Sequence, residues 1–391
     1  MTWNGNIAVF NLGNLEIGQK VNISFKFNIK DDVIINDTKY VNFANLTYYS
    51  MPNNNTNETR IYSSDKGSSF YSNATISLID PTIEKILIDS LINGTSYNKY
   101  NEAAIGENVL YNINIHLSKG TYNSIVIVDN LPDGFEYVDG SAIFANGTPI
   151  TDYGNISVNY DENNLKRYIT LNFDNALAQE VIRNNHGNFT INMTVLVLNS
   201  SSNTMGVSKI NNASLNWNNN GSALAKSSPV TIVEPILKVN KKFNDTNIEG
   251  NDNVSFNITI GNNGNTPLFN VTAIDNITKL TSDIASQGSI GYDILVGDLD
   301  NVDVSIDYNT GLTTIKVKQL DQNQNVVVRF YFKVKDDVLI GNSYLNIVDV
   351  SGTSVPSGEE YRIYSNSAND TIYTKNPTIN KTVINSTISN G

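Results

Sequence analysis

Apolar and polar residues alternate with a period of two along much of this chain. The runs Tyr111-Asn112-Ile113-Asn114-Ile115-His116-Leu117 and Val254-Ser255-Phe256-Asn257-Ile258-Thr259-Ile260 show it most clearly. Such alternation puts every second side chain on one face of a strand, so one face is buried and the other meets water. Val, Ile, Thr, Tyr and Phe dominate these runs, and those types suit a pleated surface better than a helix. No stretch of three or more helical turns stands out with a 3.6-residue period. Turn signals such as Pro132-Asp133-Gly134, Asn146-Gly147 and Asn263-Gly264 separate the runs. The pattern predicts an all-β chain of antiparallel, Ig-like β-sandwiches, with about eight to ten short strands in each.

The pattern also repeats. Leu15–Val33 recurs without a gap as Leu320–Val338, with Gln19, Val21, Phe25, Phe27 and a Lys-Asp-Asp-Val run in common. Arg60-Ile61-Tyr62-Ser63 returns as Arg362-Ile363-Tyr364-Ser365. Pro81-Thr82-Ile83-Glu84-Lys85 returns as Pro377-Thr378-Ile379-Asn380-Lys381, with a looser copy at Pro235–Lys241. These spacings predict a unit of about 150 residues, the size of an ordinary domain. Residues 1–78 then form the C-terminal part of one unit, 79–234 and 235–376 are complete units, and 377–391 is the first strand of another. Because the last strand of each unit runs straight into the Pro of the next, the expected array is elongated and stiff.

Composition narrows the role. The net charge of −12 over 391 residues excludes a nucleic-acid partner, whose phosphates need clustered Lys and Arg, and disfavours docking on anionic lipid. There is no cysteine, which removes disulfides, thiolate catalysis and thiolate metal sites together. The two histidines, His116 on an alternating run and His186 in a turn-like Asn184-Asn185-His186-Gly187, offer no catalytic triad or zinc site. No apolar run is long enough to span a membrane, and Met1-Thr2-Trp3-Asn4-Gly5 is not a signal peptide. Roughly twenty Asn-x-Ser/Thr sequons are present, about twice the chance level; glycosylation candidates include Asn22, Asn45, Asn73, Asn93, Asn146, Asn188, Asn257, Asn276 and Asn369. The expectation is an extracellular, cell-surface protein of which this is an internal piece.

Gly106-Glu107-Asn108-Val109-Leu110-Tyr111-Asn112-Ile113, followed by Val126–Val138 with its Leu131-Pro132-Asp133-Gly134 turn, resembles a conserved surface repeat once called domain of unknown function eleven. It is also similar to the isopeptide-forming domains of bacterial pilins. The resemblance covers both full units and is stronger in 79–234, since Ile274-Asp275-Asn276-Ile277-Thr278 lacks the Leu-Pro-x-Gly turn. It implies tandem display in adhesin-like surface proteins, as in methanogenic archaea and Gram-positive bacteria, and it identifies no ligand.

The resemblance further implies a crosslink between a Lys on the first strand and an Asn on the last, assisted by a buried acid. Val41-Asn42-Phe43, Ile210-Asn211-Asn212 and Leu345-Asn346-Ile347 put three Asn residues in register. The implied sets are Lys85, Asp129 and Asn211, then Lys241, Asp275 and Asn346, with Glu107 and Asp252 as rival acids and Lys238 as a rival amine. A Lys amine is nucleophilic only when neutral, which burial favours, and a neutral acid can pass a proton to departing ammonia. The plain alternative has Lys85 on a solvated strand, Asp129 capping the turn before Leu131 and Asn211 facing water.

Asp298, Asp300, Asp303 and Asp307 crowd one segment and are Ca²⁺ candidates, although they lack EF-hand spacing and a solvated turn explains them as well. Trp217 and the Tyr-rich stretches suit a sandwich core better than a sugar platform. No cofactor is called for, and no set of residues marks an enzyme. The leading expectation is a structural stalk whose partners are its neighbouring repeats; the rival is an adhesion module whose exposed loops bind host or cell-envelope glycans or proteins.

Overall fold

A computed structural model describes residues 1–36, 39–51, 61–63 and 71–382. Arg60, the start of one repeated motif, lies outside these residues, as does the chain from 383 onward. The fold is all-β, as the alternation predicts, and two separate hydrophobic cores organise it.

Around the first core, one sheet contains β1 (Thr82–Leu91), β2 (Asn108–His116) and, later in the chain, β6 (Asn188–Val197). The facing sheet contains β3 (Ile125–Asn130), β4 (Gly154–Tyr160), β5 (Lys166–Phe173), β7 (Asn212–Trp217) and β8 (Gly221–Lys226). Strand β6 spans Asn188–Val197 and follows the helix α1 (Asn175–Asn185). The strand orders are β1-β2-β6, extended by Phe135–Tyr137, and β4-β5-β3-β7-β8. Around the second core lie β9 (Leu237–Phe243), β10 (Asn253–Asn262), β11 (Leu268–Asn276), β12 (Gly291–Val296) and β13 (Val302–Asp307). They are followed by β14 (Leu312–Leu320), β15 (Asn325–Lys333), β16 (Ser343–Thr353) and β17 (Ile363–Thr374). Their orders are β9-β10-β15-β12 and β13-β14-β11-β16-β17, the last edged by Asn247–Ile248. The two sheet pairs therefore share one arrangement, with β9 in the place of β1, β10 of β2, β11 of β3, β15 of β6, β16 of β7 and β17 of β8.

Period-two burial is nearly complete in the inner strands. On β2, Val109, Tyr111, Ile113 and Ile115 are buried; on β15, Val326, Val328, Phe330 and Phe332 are. Trp217 is buried in the first core, in line with the sequence reading. Besides the main strands, the first core carries several strands of two or three residues, so its strand number exceeds the eight to ten expected.

The helix α1 is a correction. Asp174 caps it, its carboxylate accepting from the amides of Ala176 (2.8 Å) and Leu177 (3.3 Å). His186 ends it in the left-handed conformation (φ 51°). Leu177 and Ala178 are buried against the sheet, with Val181 and Ile182 beside them. This one-sided apolar stripe covers only residues 177–182 of the eleven and lies between Asn-rich flanks, so it does not stand out in the sequence.

Residues 1–36 contrast with the segment they match. Phe25 and Phe27 are exposed, whereas Phe330 and Phe332 at the matching positions are buried between β10 and the core. Among the described residues nothing equivalent to β10 pairs with 15–29. Two residues of this region join the first core, Ile35 within it and Val33 against it. Ile35 is buried there, Asn218 donates to its carbonyl (2.6 Å), and Thr121 donates to the carbonyl of Val33 (2.8 Å). Gly120 makes room, since a Cβ there would sit 2.5 Å from the Ile35 side chain.

Candidate functional site

Each core buries a Lys, an Asp and an Asn at equivalent positions. On β1 the inward positions run Lys85, Leu87; on β3 they run Ile125, Ile127, Asp129. The lysine and the acid therefore occupy places where the alternation calls for an apolar residue. Asn211 immediately precedes β7 and continues the inward parity of Ala213, Leu215 and Trp217. Since β1 lies in one sheet and β3 and β7 in the other, the three side chains meet across the sandwich. Lys85, Asp129 and Asn211 are 3%, 2% and 0% exposed, and Lys241, Asp275 and Asn346 are 3%, 1% and 1%. The solvated alternative for Lys85, Asp129 and Asn211 is thereby overturned.

In the first site the Lys85 ammonium pairs with Asp129 Oδ2 and stands 5.0 Å from the centre of the Tyr111 ring. In the second, Lys241 pairs with Asp275 Oδ2, 4.5 Å from the Phe256 ring centre. Asn346 Nδ2 donates to the same Asp275 oxygen at 3.5 Å. Several buried atoms lack a hydrogen-bond partner: Asp129 Oδ1, both amide atoms of Asn211 and the Tyr111 hydroxyl in the first site, Asp275 Oδ1 and Asn346 Oδ1 in the second. Buried polar groups are nearly always satisfied, so their concentration around two lysines singles these sites out.

Burial dominates the electrostatics. It pushes the Lys85 amine below its ordinary value against the opposing pull of Asp129, and it takes Lys241 down to about 8. It pushes both Asp129 and Asp275 upward, against the pull of their lysines. Both shifts bring the neutral pair, an amine beside a carboxylic acid, closer in energy to the ion pair. Charges so enclosed lose hydration that their mutual attraction hardly replaces. Each site thus buries an amine, a proton carrier and a carboxamide together in the core.

The rivals stand elsewhere. Glu107 is buried, and burial raises its carboxyl, but it accepts from Asn98 Nδ2 (2.7 Å) and the Ala104 amide (3.0 Å) and is not paired with a lysine. Asp252 caps a turn at the amide of Glu249 (2.9 Å), and Lys238 is exposed. Asn42 lies exposed on the strand Tyr40–Asn45. The Ca²⁺ candidates disperse: Asp298 accepts from the amide of Asp300 (3.1 Å), Asp303 faces Lys316 across β13 and β14, and Asp307 caps the turn at Asn309 (2.9 Å). Among the described residues no three Asp, Glu or His side chains gather as a metal site. His116 ends β2 and pairs with Asn188 Oδ1 at 3.0 Å, on a polar strand face as read. The sequon residues Asn22, Asn45, Asn73, Asn93, Asn146, Asn188, Asn276 and Asn369 are exposed, and Asn257 is half-buried. No described helix is long and apolar enough to cross a membrane.

The alternation missed the partners around the two sites. Tyr111 and Ser227 attend the first, and Phe256 and Asp370 the second. The repeat alignment of β2 with β10 already places Tyr111 opposite Phe256.

No family model matches this chain, and no curated protein does. Solved structures give distant likenesses. The C-terminal domain of the Streptococcus agalactiae AgI/II polypeptide BspA is 13% identical, with 76% of this chain and 100% of that one covered and a TM-score of 0.41. A 35 kDa C-terminal fragment of the S. agalactiae major pilin GBS80 is 13% identical, with 73% and 91% covered and a TM-score of 0.34. BcpA, the major pilin subunit of Bacillus cereus, is 13% identical, with 83% and 77% covered and a TM-score of 0.31. Identity and TM-score are too low for these likenesses to bear on the role of this chain.

Proposed function

We propose that this chain is a segment of an extracellular, surface-displayed shaft, built from β-sandwich units at 79–234 and 235–376 and closed by self-formed Lys–Asn isopeptide bonds. The supporting observation is a buried Lys–Asp–Asn cluster occurring twice, each time bridging the two sheets of a sandwich. The chemistry needs no cofactor. A proton passes from the lysine to the aspartate, and the neutral Nζ attacks Cγ of the asparagine. A C–N bond forms, the aspartic acid gives its proton to the carboxamide nitrogen, the aspartate takes the surplus proton from Nζ, and ammonia leaves. One amine and one carboxamide become one secondary amide and one ammonia, with the carboxyl regenerated. Proximity makes the step unimolecular, and exchanging an enclosed ion pair for a neutral amide removes the desolvation cost that drives it. Each bond ties the first strand to a strand of the opposite sheet, as a disulfide would in a chain with cysteines.

The mass of the intact protein, measured under denaturing conditions, tests this. The expected result is a deficit of two ammonia molecules, falling to one in Lys85→Ala and one in Lys241→Ala. A parent of full calculated mass would refute the crosslinks.

A further inference from the structure

The two sites are equivalent in their reacting groups and different in what surrounds them. On β8 the register pairs Asn212 with Lys226, so the next step sets Asn211 against Ser227. The Ser227 amide donates to the Asn211 carbonyl (2.9 Å), and the Asn211 amide donates to Ser227 Oγ (3.1 Å). In the second sandwich the same register pairs Asn346 with Asp370 on β17. A neutral hydroxyl at one site is thus replaced by a carboxylate at the other. Asp370 is half-buried, and its Oδ2 accepts from the amide of Phe243 (2.8 Å), two residues beyond Lys241 on β9. It therefore reaches over from β17 to the lysine-bearing strand.

The remaining groups around Lys241 are Asp275 from β11, Asn346 from β16 and the Phe256 ring from β10. Asp370 is the one further charge on this lysine and holds its proton on, against the larger effect of burial. At Lys85 the pull against burial comes from Asp129, its ion-pair partner. The ring positions differ in parallel. Tyr111 in the first site, whose hydroxyl lies by Ser227, is Phe256 in the second.

We propose that the residue opposite the reacting asparagine, Ser227 in one sandwich and Asp370 in the other, sets the order of crosslinking, so that Lys85–Asn211 closes before Lys241–Asn346. This rests on the crosslinking reading above. The reacting form requires the lysine proton to move onto the aspartate. A second carboxylate on the lysine side holds the proton on the amine, keeps the ion pair populated and leaves less neutral amine to attack Cγ. Ser227 exerts no such pull. Asp370 acts through Lys241 and touches no reacting atom, so it is a positioning residue.

The test is a short pulse of cell-free synthesis of the full chain, quenched at intervals in acid and digested. The two crosslinked peptides, Lys85 with Asn211 and Lys241 with Asn346, are then quantified against time. The first is expected to accumulate ahead of the second. Asp370→Asn keeps an acceptor for the Phe243 amide while removing the charge. It is expected to speed the second bond about three- to tenfold, the tenfold limit matching one unit of lysine pKa, and to leave the first unchanged. Ser227→Asp is the reciprocal arm and is expected to slow the first bond; it decides the matter if Asp370→Asn does not fold. A purely structural role for Asp370 predicts no acceleration. Equal rates in the parent, or a second bond indifferent to Asp370→Asn, would overturn the ordering while leaving the crosslinks intact. Absence of both peptides from the parent would overturn the crosslinking reading and the ordering with it.

Discussion

At the scale of single residues, the informative feature is a lysine where the strand pattern calls for a hydrophobe. Lys85 and Lys241 are nearly inaccessible, and burial depresses both amines. This has a pH consequence for any variant in which the second bond cannot form. In Asn346→Ala the lysine stays titratable. The folded state gives up its proton at about 8, whereas the unfolded chain keeps it to 10.5. Between these values the unfolded state binds more protons, so stability rises with pH through that window. The rise is bounded at roughly 3 kcal/mol. In a crosslinked parent this nitrogen is an amide and contributes nothing. Denaturation of the two proteins at pH 7.5 and 10.5 is expected to show the extra gain in the variant alone; matching slopes would mean that Lys241 titrates in the parent too. The members of both clusters were named in the sequence because the resemblance implied a Lys, an acid and an Asn and the repeats offered them at matching places, with Glu107, Asp252 and Lys238 left as rivals. Their burial was not legible, since a lysine on an alternating strand reads equally well as solvated until the opposite sheet is in place.

At the scale of elements, legibility followed periodicity. Strands such as β2 and β10 announce themselves through strict alternation, and the structure makes strands of both runs. The helix α1 was missed because its apolar positions, Leu177, Ala178, Val181 and Ile182, cover less than two of its turns and do not stand out. The available signal was Asp174 ahead of that stripe, an N-cap residue followed by apolar positions spaced for one helix face. Its carboxylate holds two otherwise unpaired amides. Asp174→Ala is expected to cost about 1 kcal/mol. Denaturant titration gives the value, and amide exchange should show the loss concentrated in 175–185. An unchanged midpoint would mean that packing of Leu177 and Ala178 alone fixes the helix.

At the scale of the whole molecule, the question is whether the two sandwiches move as one body. The sequence predicted stiffness from a Pro at the junction, but a Pro constrains only its immediate neighbours. The structure adds a clamp of side chains that no local pattern could reveal, since its members lie far apart in the chain. Arg362 reaches back to the first sandwich, donating to Asn199 Oδ1 (2.8 Å), to the carbonyls of Ser200 and Asn203 (both 2.9 Å) and to Glu234 Oε1 (2.9 Å). Glu234 immediately precedes the junction Pro235 and accepts also from the Tyr364 hydroxyl (3.0 Å) and the Met205 amide (2.9 Å). Beside this polar network, Ile92, Phe269 and Val355 form a small apolar cluster, with Tyr97 edge-on to Phe269 at 5.1 Å. A guanidinium with four partners in a partly desolvated joint is worth more than an exposed ion pair, because, among the described residues, removing it takes the only cation from Glu234 and a donor from each of two carbonyls. Arg362→Ala is therefore expected to loosen the joint while leaving each sandwich folded. Residual dipolar couplings of the parent should fit one alignment tensor across 79–376, and those of the variant should require two. If the parent already needs two tensors, the clamp does not hold the joint and a shaft of these units bends at every junction. If the variant still needs one, the apolar cluster and Pro235 suffice, and Arg362 fixes the angle between the sandwiches without being needed to hold it.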